Sequence, residues 1–327
     1  MYKEKDKSHA ISLYSLLYIE DDERHANIGS TSDVISTYLN CGFLLHRSLM
    51  RFGHSLTIVT NKPTLVREMM EQEEIDLEVV QIEFTLHVPS TLKFRSAHRK
   101  IDLISAFGSG QLGARPGYLD LDMVMLNKLP FSTIDDECLI GYNIWHHVAP
   151  AYGADKIRYD VAKISGCNAD DLKQWWGGEF LIGPRESFAM LSKQIDVIYS
   201  QYLKIASELH HQGDEMVVTA ALHSLARDNA EGISDFIADG GNMGAVGRWW
   251  SSRTLSRIEP LGNLINCSII HLPADKDILS ELGANPILYG KGLARYLTGR
   301  LRRKTRWKRL LRPIFALAYS RKFTPKL

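Results

Sequence analysis

Apolar and polar positions change period repeatedly along the first part of the chain. The compact apolar run "SLYSLLYI" (12–19) predicts a strand. In "STYLNCGFLLHRSLMRFG" (36–53), Tyr38, Cys41, Leu45, Leu49 and Phe52 recur near helical spacing and share one face. "HSLTIVTN" (54–61) then predicts a second strand, closed by Asn61 and Pro63. Strand, helix and strand in that order make a β-α-β unit, which implies a parallel sheet with a right-handed crossover. Further strands are predicted at 78–84, 117–126, 137–144, 178–184 and 266–272, and helices at about 93–107, 186–208 and 214–227. No internal repeat interrupts this pattern. The expected fold class is therefore α/β, a single domain over 1–285 with a mostly parallel central sheet, followed by a C-terminal basic helical appendage over 286–327.

Composition adds two constraints. With 327 residues, 45% of them hydrophobic, the chain can bury a substantial core. Its four cysteines, Cys41, Cys138, Cys167 and Cys267, lie far apart without a C-x-x-C pair, which argues against a disulfide or zinc scaffold and for a reducing, cytoplasmic compartment. No run approaches the roughly 20 apolar residues that span a bilayer.

Charge changes the picture more. All 38 acids lie at or before Glu281, whereas residues 291–327 hold 13 of the 39 Lys and Arg. An acidic body thus carries a basic tail, in which Leu293, Leu297 and Leu301, and again Trp307, Leu311, Ile314 and Ala318, fall at helical spacing, with Pro313 expected to kink the run. Such a segment is expected at an anionic membrane surface through residues 291–327. The alternative is that its apolar residues dock on the domain and its arginines are solvated. No nucleic acid partner is expected, because no binding motif accompanies the charge.

The segment "PGYLDLDMVMLNKLP" (116–130) is chemically unusual. If 117–126 is one strand, Asp120 and Asp122 point to the same face and repel each other, and burial worsens both. A divalent cation beside them removes that penalty, and Mn²⁺ or Mg²⁺ suits oxygen ligands while keeping positions open for phosphates. An edge strand showing its acids to water is the alternative. Apolar residues on both faces, Tyr118, Leu119, Leu121, Met123, Val124 and Met125, suit a buried strand better.

This segment resembles the metal-binding Asp-x-Asp strand of GT-A fold glycosyltransferases, most like glycosyltransferase family 8 and related bacterial lipopolysaccharide glycosyltransferases. The resemblance implies a GT-A-like (Rossmann-like) domain in which Asp120 and Asp122 approach a metal that bridges the diphosphate of a sugar nucleotide, with Leu121 between them on the nucleotide-sugar side. "CSIIHLPADK" (267–276) is similar to the late strand that completes such a site, implying His271 as metal ligand and Lys276 as a diphosphate contact, although the family's Gly and its Lys-Pro-Trp ending are absent. "WWGGEFLIGP" (175–184) resembles the strand behind the donor sugar, where Gly177 and Gly178 would allow close approach; Trp175 and Trp176 are either acceptor platforms or buried anchors. "HHQGDEMVVTAAL" (210–222) is similar to the family's acidic helix opening, implying catalytic roles for Asp214 and Glu215, which also suit a helix N-terminus as such. Arg99 matches an arginine on the nucleotide side, with Arg95 equally placed by spacing. In "IEDDER" (19–24), Asp21 and Asp22 would hold uridine and ribose.

The expected activity is therefore metal-dependent transfer of a sugar from a nucleotide-sugar donor, a UDP-sugar by the resemblance, to a glycan or glycolipid acceptor of a bacterial surface glycan such as lipopolysaccharide, O-antigen or capsule. The expected location is peripheral, on the inner face of the cell membrane. Two other readings stay open at this point: a non-catalytic carbohydrate-binding or membrane-interaction protein on the same fold, and a nucleotidyltransferase. The latter lacks its usual Gly-rich, lysine-bearing loop after the first strand.

Overall fold

The computed structural model describes residues 11–20, 34–72, 74–130, 138–229, 232–249, 266–284, 293, 295–304 and 306. Asp21 and Asp22, and the tail residues Trp307, Leu311, Pro313, Ile314 and Ala318, lie outside them.

The elements in chain order are β1 (Ser12–Leu17), α1 (Val34–Met50), β2 (Leu56–Thr60), α2 (Pro63–Gln72), β3 (Glu78–Val80), α3 (Arg95–His98), α4 (Lys100–Ser109), β4 (Pro116–Leu119), β5 (Met123–Met125), β6 (Leu139–Asn143), α5 (Trp145–Tyr152), α6 (Ala154–Ser165), β7 (Trp176–Ile182), α7 (Arg185–Ile205), α8 (Asp214–Asp228), β8 (Ile237–Asp239), β9 (Val246–Arg248), β10 (Ile269–His271) and α9 (Lys276–Gly283). The predicted β-α-β start is present: β1 pairs in parallel with β2 on one side and with β4 on the other. Pro63, which reads as a strand terminator, also opens α2, a place that suits proline because the first helical N–H has no partner to lose.

Seven strands form the main sheet in the order β3-β2-β1-β4-β7-β6-β8. Only β7 runs against its neighbours, pairing antiparallel with both β4 and β6. The chain is thus α/β with a mostly parallel sheet, compatible with a Rossmann-like domain. A second sheet, β5-β10-β9, stands beside it.

The expected single strand over 117–126 is two strands in two sheets. The chain leaves the main sheet after Leu119 and enters the small one at Met123, so Asp120, Leu121 and Asp122 form the crossing rather than a strand face. Each acid is pinned to a different sheet: the Asp120 N–H donates to the Glu179 carbonyl of β7 at 2.9 Å, and the Leu272 N–H donates to the Asp122 carbonyl at 3.0 Å. Apolar residues flank the acids because the small sheet is buried on both faces. Met123, Met125 and Ile269 join the large core, while Val124 and Ile270 face a second core with Cys41, Leu44, Leu279 and Leu282. Helices α1 and α9 approach closely enough there that a Cβ on Gly283 would lie 1.9 Å from the Asn40 carbonyl oxygen.

The described part of the appendage packs into this second core. Leu293, Leu297 and Leu301 are fully buried in it, and the helical segment 295–304 is tied to α9 by Arg300 to Glu281 and by Lys304 Nζ to Asp277 Oδ1 at 2.8 Å. For these residues the docking alternative is what the structure shows, and the apolar face is committed to the protein. All four cysteines are free thiols. Among the described residues no helix is long and apolar enough to cross a membrane.

Leu297→Ala removes a side chain that is 2% exposed and should cost about 2–4 kcal/mol in urea denaturation, where a surface-lying leucine would cost little. His98 is buried, its Nδ1 3.0 Å from the Phe94 carbonyl oxygen and its Nε2 2.8 Å from the Tyr202 hydroxyl. The carbonyl only accepts, so Nδ1 carries the proton and Nε2 accepts from Tyr202. Burial holds the His98 pKa below the ordinary value of about 6.5. The unfolded chain then binds more protons, so this contribution is full above about pH 6.5 and is lost as pH falls through the depressed folded value. The urea midpoint should drop between pH 7 and pH 5, and H98N should flatten that slope.

Candidate metal and sugar-nucleotide site

The crossing between the sheets brings three potential ligands together. One oxygen each from Asp120 and Asp122 and a ring nitrogen of His271 all lie within 4.8 Å of one another. His271 ends β10, directly opposite Met123 in the antiparallel pairing, which sets it beside the crossing. Its Nε2 lies 3.0 Å from Asp122 Oδ1 and 3.7 Å from Asp120 Oδ2. Two carboxylates and one imidazole form an oxygen-rich, borderline donor set that fits Mn²⁺ well and Mg²⁺ acceptably.

Burial raises the electrostatic stakes. Asp122 is 4% exposed and His271 2%. Burial favours the neutral acid, yet Lys276 and His271 overcome it and hold the Asp122 carboxyl well below the usual carboxylate range. For His271 burial favours the neutral ring, but Asp122 and Glu179 push its pKa up to about 9. Lys276, the first residue of α9, donates from Nζ to Asp122 Oδ2 and to the Pro273 carbonyl at 3.0 Å. The two cations beside Asp122 thus supply the charge that a divalent ion would otherwise bring.

Around this centre runs a second tier of charge. Lys100 Nζ lies 3.1 Å from Asp120 Oδ1 and 3.3 Å from Asp214 Oδ2, and donates to the Gly178 carbonyl at 3.0 Å. Tyr118 donates its hydroxyl to Asp120. Burial raises the Asp214 pKa, with Lys100 opposing. Glu215 accepts from Trp175 Nε1 at 3.0 Å and sits 3.7 Å from Arg248. Glu179, on β7, faces His271 Nδ1 at 3.3 Å and Arg248 Nε at 3.5 Å.

Asp120, Asp122, His271, Lys276, Asp214 and Glu215 are therefore joined in one network. Gly177 and Gly178 lie against two of its carboxylates. A Cβ on Gly177 would meet Glu179 Oε2 at 2.1 Å, and one on Gly178 would meet Asp214 Oδ2 at 2.1 Å. The paired glycines make space for two buried carboxylates. Trp175 and Trp176 are 1% and 3% exposed, hence anchors and not stacking platforms. Leu121 turns its side chain into the core, where a Cβ on Gly42 would press on it at 2.7 Å, so only its backbone faces the crossing. The Arg99 guanidinium donates to the Leu86 carbonyl at 2.7 Å and lies over the Tyr18 ring, while Arg95 pairs with Glu20. Both arginines thus gather after the end of β1, and it is the next residue, Lys100, that reaches Asp120.

Sequence reading passed over Lys100, Glu179 and Arg248. Lys100 was open to detection as a charged residue one step from Arg99. Glu179 carried a stronger signal, an acid set inside the apolar run "EFLI" of a central strand. Arg248 lies on a three-residue strand without a periodic signal. In comparison with known proteins, the chain matches no family model and no curated sequence.

Lys276→Met should destabilise the metal-free protein by about 3 kcal/mol, because it leaves a buried carboxylate short of one partner. Added Mn²⁺ should restore part of the loss in thermal denaturation. A melting temperature equal to that of the parent would contradict the pairing.

Proposed function

We propose that this chain is a divalent-metal-dependent glycosyltransferase that moves a sugar from a nucleotide-sugar donor, taken as a UDP-sugar, to a saccharide or lipid-linked saccharide acceptor in surface-glycan synthesis. The observation that carries the reading is the convergence of Asp120, Asp122 and His271 at the crossing between two sheets. The order β1-α1-β2 before it and a sheet with one reversed strand are compatible with the GT-A-like fold that the sequence resembles.

Asp120, Asp122 and His271 would hold Mn²⁺ or Mg²⁺, which supplies charge stabilisation for a leaving diphosphate. The protein's own groups do the rest. Lys276 and Lys100 border the ligand carboxylates and add positive charge where a diphosphate would sit. Of the two acids opening α8, Glu215 keeps part of its side chain open, whereas Asp214 is enclosed beside Lys100. Glu215 is accordingly assigned to the positive face of an oxocarbenium-like transition state, and Asp214 to positioning Lys100. Retention of anomeric configuration would follow from the family 8 likeness.

One observation favours a second, non-catalytic reading on the same fold: Lys276 and His271 already neutralise Asp122 without a cation. Isothermal titration separates the two. A catalytic protein should bind UDP with Mn²⁺ at least tenfold more tightly than UDP alone, and D122N should abolish both that enhancement and metal-dependent hydrolysis of a sugar-nucleotide panel. Binding of UDP that ignores Mn²⁺ would sink the enzyme reading.

The appendage bears on location. Leu293, Leu297 and Leu301 face the domain, while Arg295, Arg302, Arg303 and Arg306 are exposed. Membrane contact by this part is therefore electrostatic, worth on the order of 1 kcal/mol for each cation near an anionic surface. The triple variant R302E/R303E/R306E should lose sedimentation with phosphatidylglycerol vesicles, and 0.5 M salt should release the parent protein. Sedimentation of the variant at parental levels would refute the contact for these residues.

A further inference from the structure

Glu179 is 1% exposed, on β7, an interior strand of the main sheet. An isolated carboxylate at that depth is costly. Neither oxygen makes a hydrogen bond of full geometry; Oε1 faces both His271 Nδ1 at 3.3 Å and Arg248 Nε at 3.5 Å. Gly177 must lack a side chain for the carboxylate to occupy this place. The fold thus spends a central strand position, a glycine and a buried arginine on holding one acid behind one histidine.

The direction of that contact matters. His271 turns Nε2 to Asp122 and Asp120, and Nδ1 to Glu179. Carboxylates only accept, so without a metal both ring nitrogens carry protons; a cation between the two aspartates would take the place of the Nε2 proton, while Glu179 holds the one on Nδ1. The same residue acts a second time through its backbone, since its carbonyl accepts the N–H of Asp120. One strand residue therefore touches two of the three candidate ligands, and Arg248 closes the chain onward to Glu215.

We infer that Glu179 is the positioning residue of the metal site, fixing the tautomer and orientation of His271 through Nδ1 and the backbone of Asp120 through its carbonyl. The inference rests on the metal reading above, and extends it from the ligands to the residue that sets their geometry. Outer partners of ligating histidines commonly govern metal affinity by about 10–100-fold.

The test is titration of the full chain with Mn²⁺ alone, free metal being counted by electron paramagnetic resonance. Glu179→Ala should weaken Mn²⁺ by about 10–100-fold, whereas Glu179→Gln, whose amide oxygen still accepts from Nδ1–H, should stay within a few-fold of the parent. Gly177→Ala, which leaves the acid in place but pushes its carboxylate aside, should weaken Mn²⁺ as well, and serves if Glu179→Ala does not fold. Nitrogen-15 spectra of His271 in the Mg²⁺-loaded parent should report the Nδ1–H form, and in the Gly177→Ala protein a loss of that preference. Parental Mn²⁺ affinity in both Glu179→Ala and Gly177→Ala, or equal losses in Glu179→Gln and Glu179→Ala, would overturn the positioning role while leaving the metal site standing. A parent chain that binds no Mn²⁺ would overturn the metal reading and this role with it.

Discussion

Asp122 is a carboxylate with almost no access to water, and the position of much else is set by that. Moving such a charge out of water costs several kcal/mol unless cations and hydrogen bonds replace the solvent. Its partners, His271 and Lys276, come from 149 and 154 residues further along the chain. Folding must therefore complete the small sheet and seat α9 before the charge is compensated. The network then spreads outward by the same rule, each buried cation drawing a further acid: Lys100 between Asp120 and Asp214, Arg248 between Glu179 and Glu215.

Because Asp120 is pinned to the main sheet and Asp122 to the small one, the spacing of the two carboxylates is set by the spacing of the two sheets. That spacing is not free to drift. Met123, Met125 and Ile269 of the small sheet share the large core with Leu119, Phe180 and Ile182 of the main sheet. Close-packed interiors resist sliding, so Asp120 and Asp122 are held across this seam although neither lies in a strand.

Local periodicity carried β1, α1, β2, α7 and α8, whose apolar faces are long enough to show. The two acids were legible as misplaced charge in an apolar run, and His271 and Lys276 only through the family resemblance of "CSIIHLPADK". Their meeting was not legible from spacing, since it depends on β10 pairing with β5 across the sequence. The break of 117–126 into two strands was hidden for a related reason: an apolar run buried on both faces reads alike whether it stays in one sheet or crosses to another. The role of Gly177 and Gly178 was hidden as well, because what fills the space over a glycine is a carboxylate supplied by tertiary structure. Glu179 was visible as an acid in a core strand, but its partners are long-range.

The appendage shows how the same electrostatic logic reaches the surface. Read alone, 291–327 is a basic amphipathic segment, and a bilayer is the natural home for its leucines. In the fold, Leu293, Leu297 and Leu301 find Leu279, Leu282 and Ile278 of α9, each fully buried leucine contributing about 1.5–3 kcal/mol. Lys304 then lies 2.8 Å from both Asp275 and Asp277, the residues on either side of Lys276. Asp275 has no solvent exposure, so its charge needs that lysine as Asp122 needs Lys276. Docking of the basic segment thus compensates the acids that flank the start of α9, and α9 in turn presents Lys276 to the crossing where Asp120, Asp122 and His271 meet.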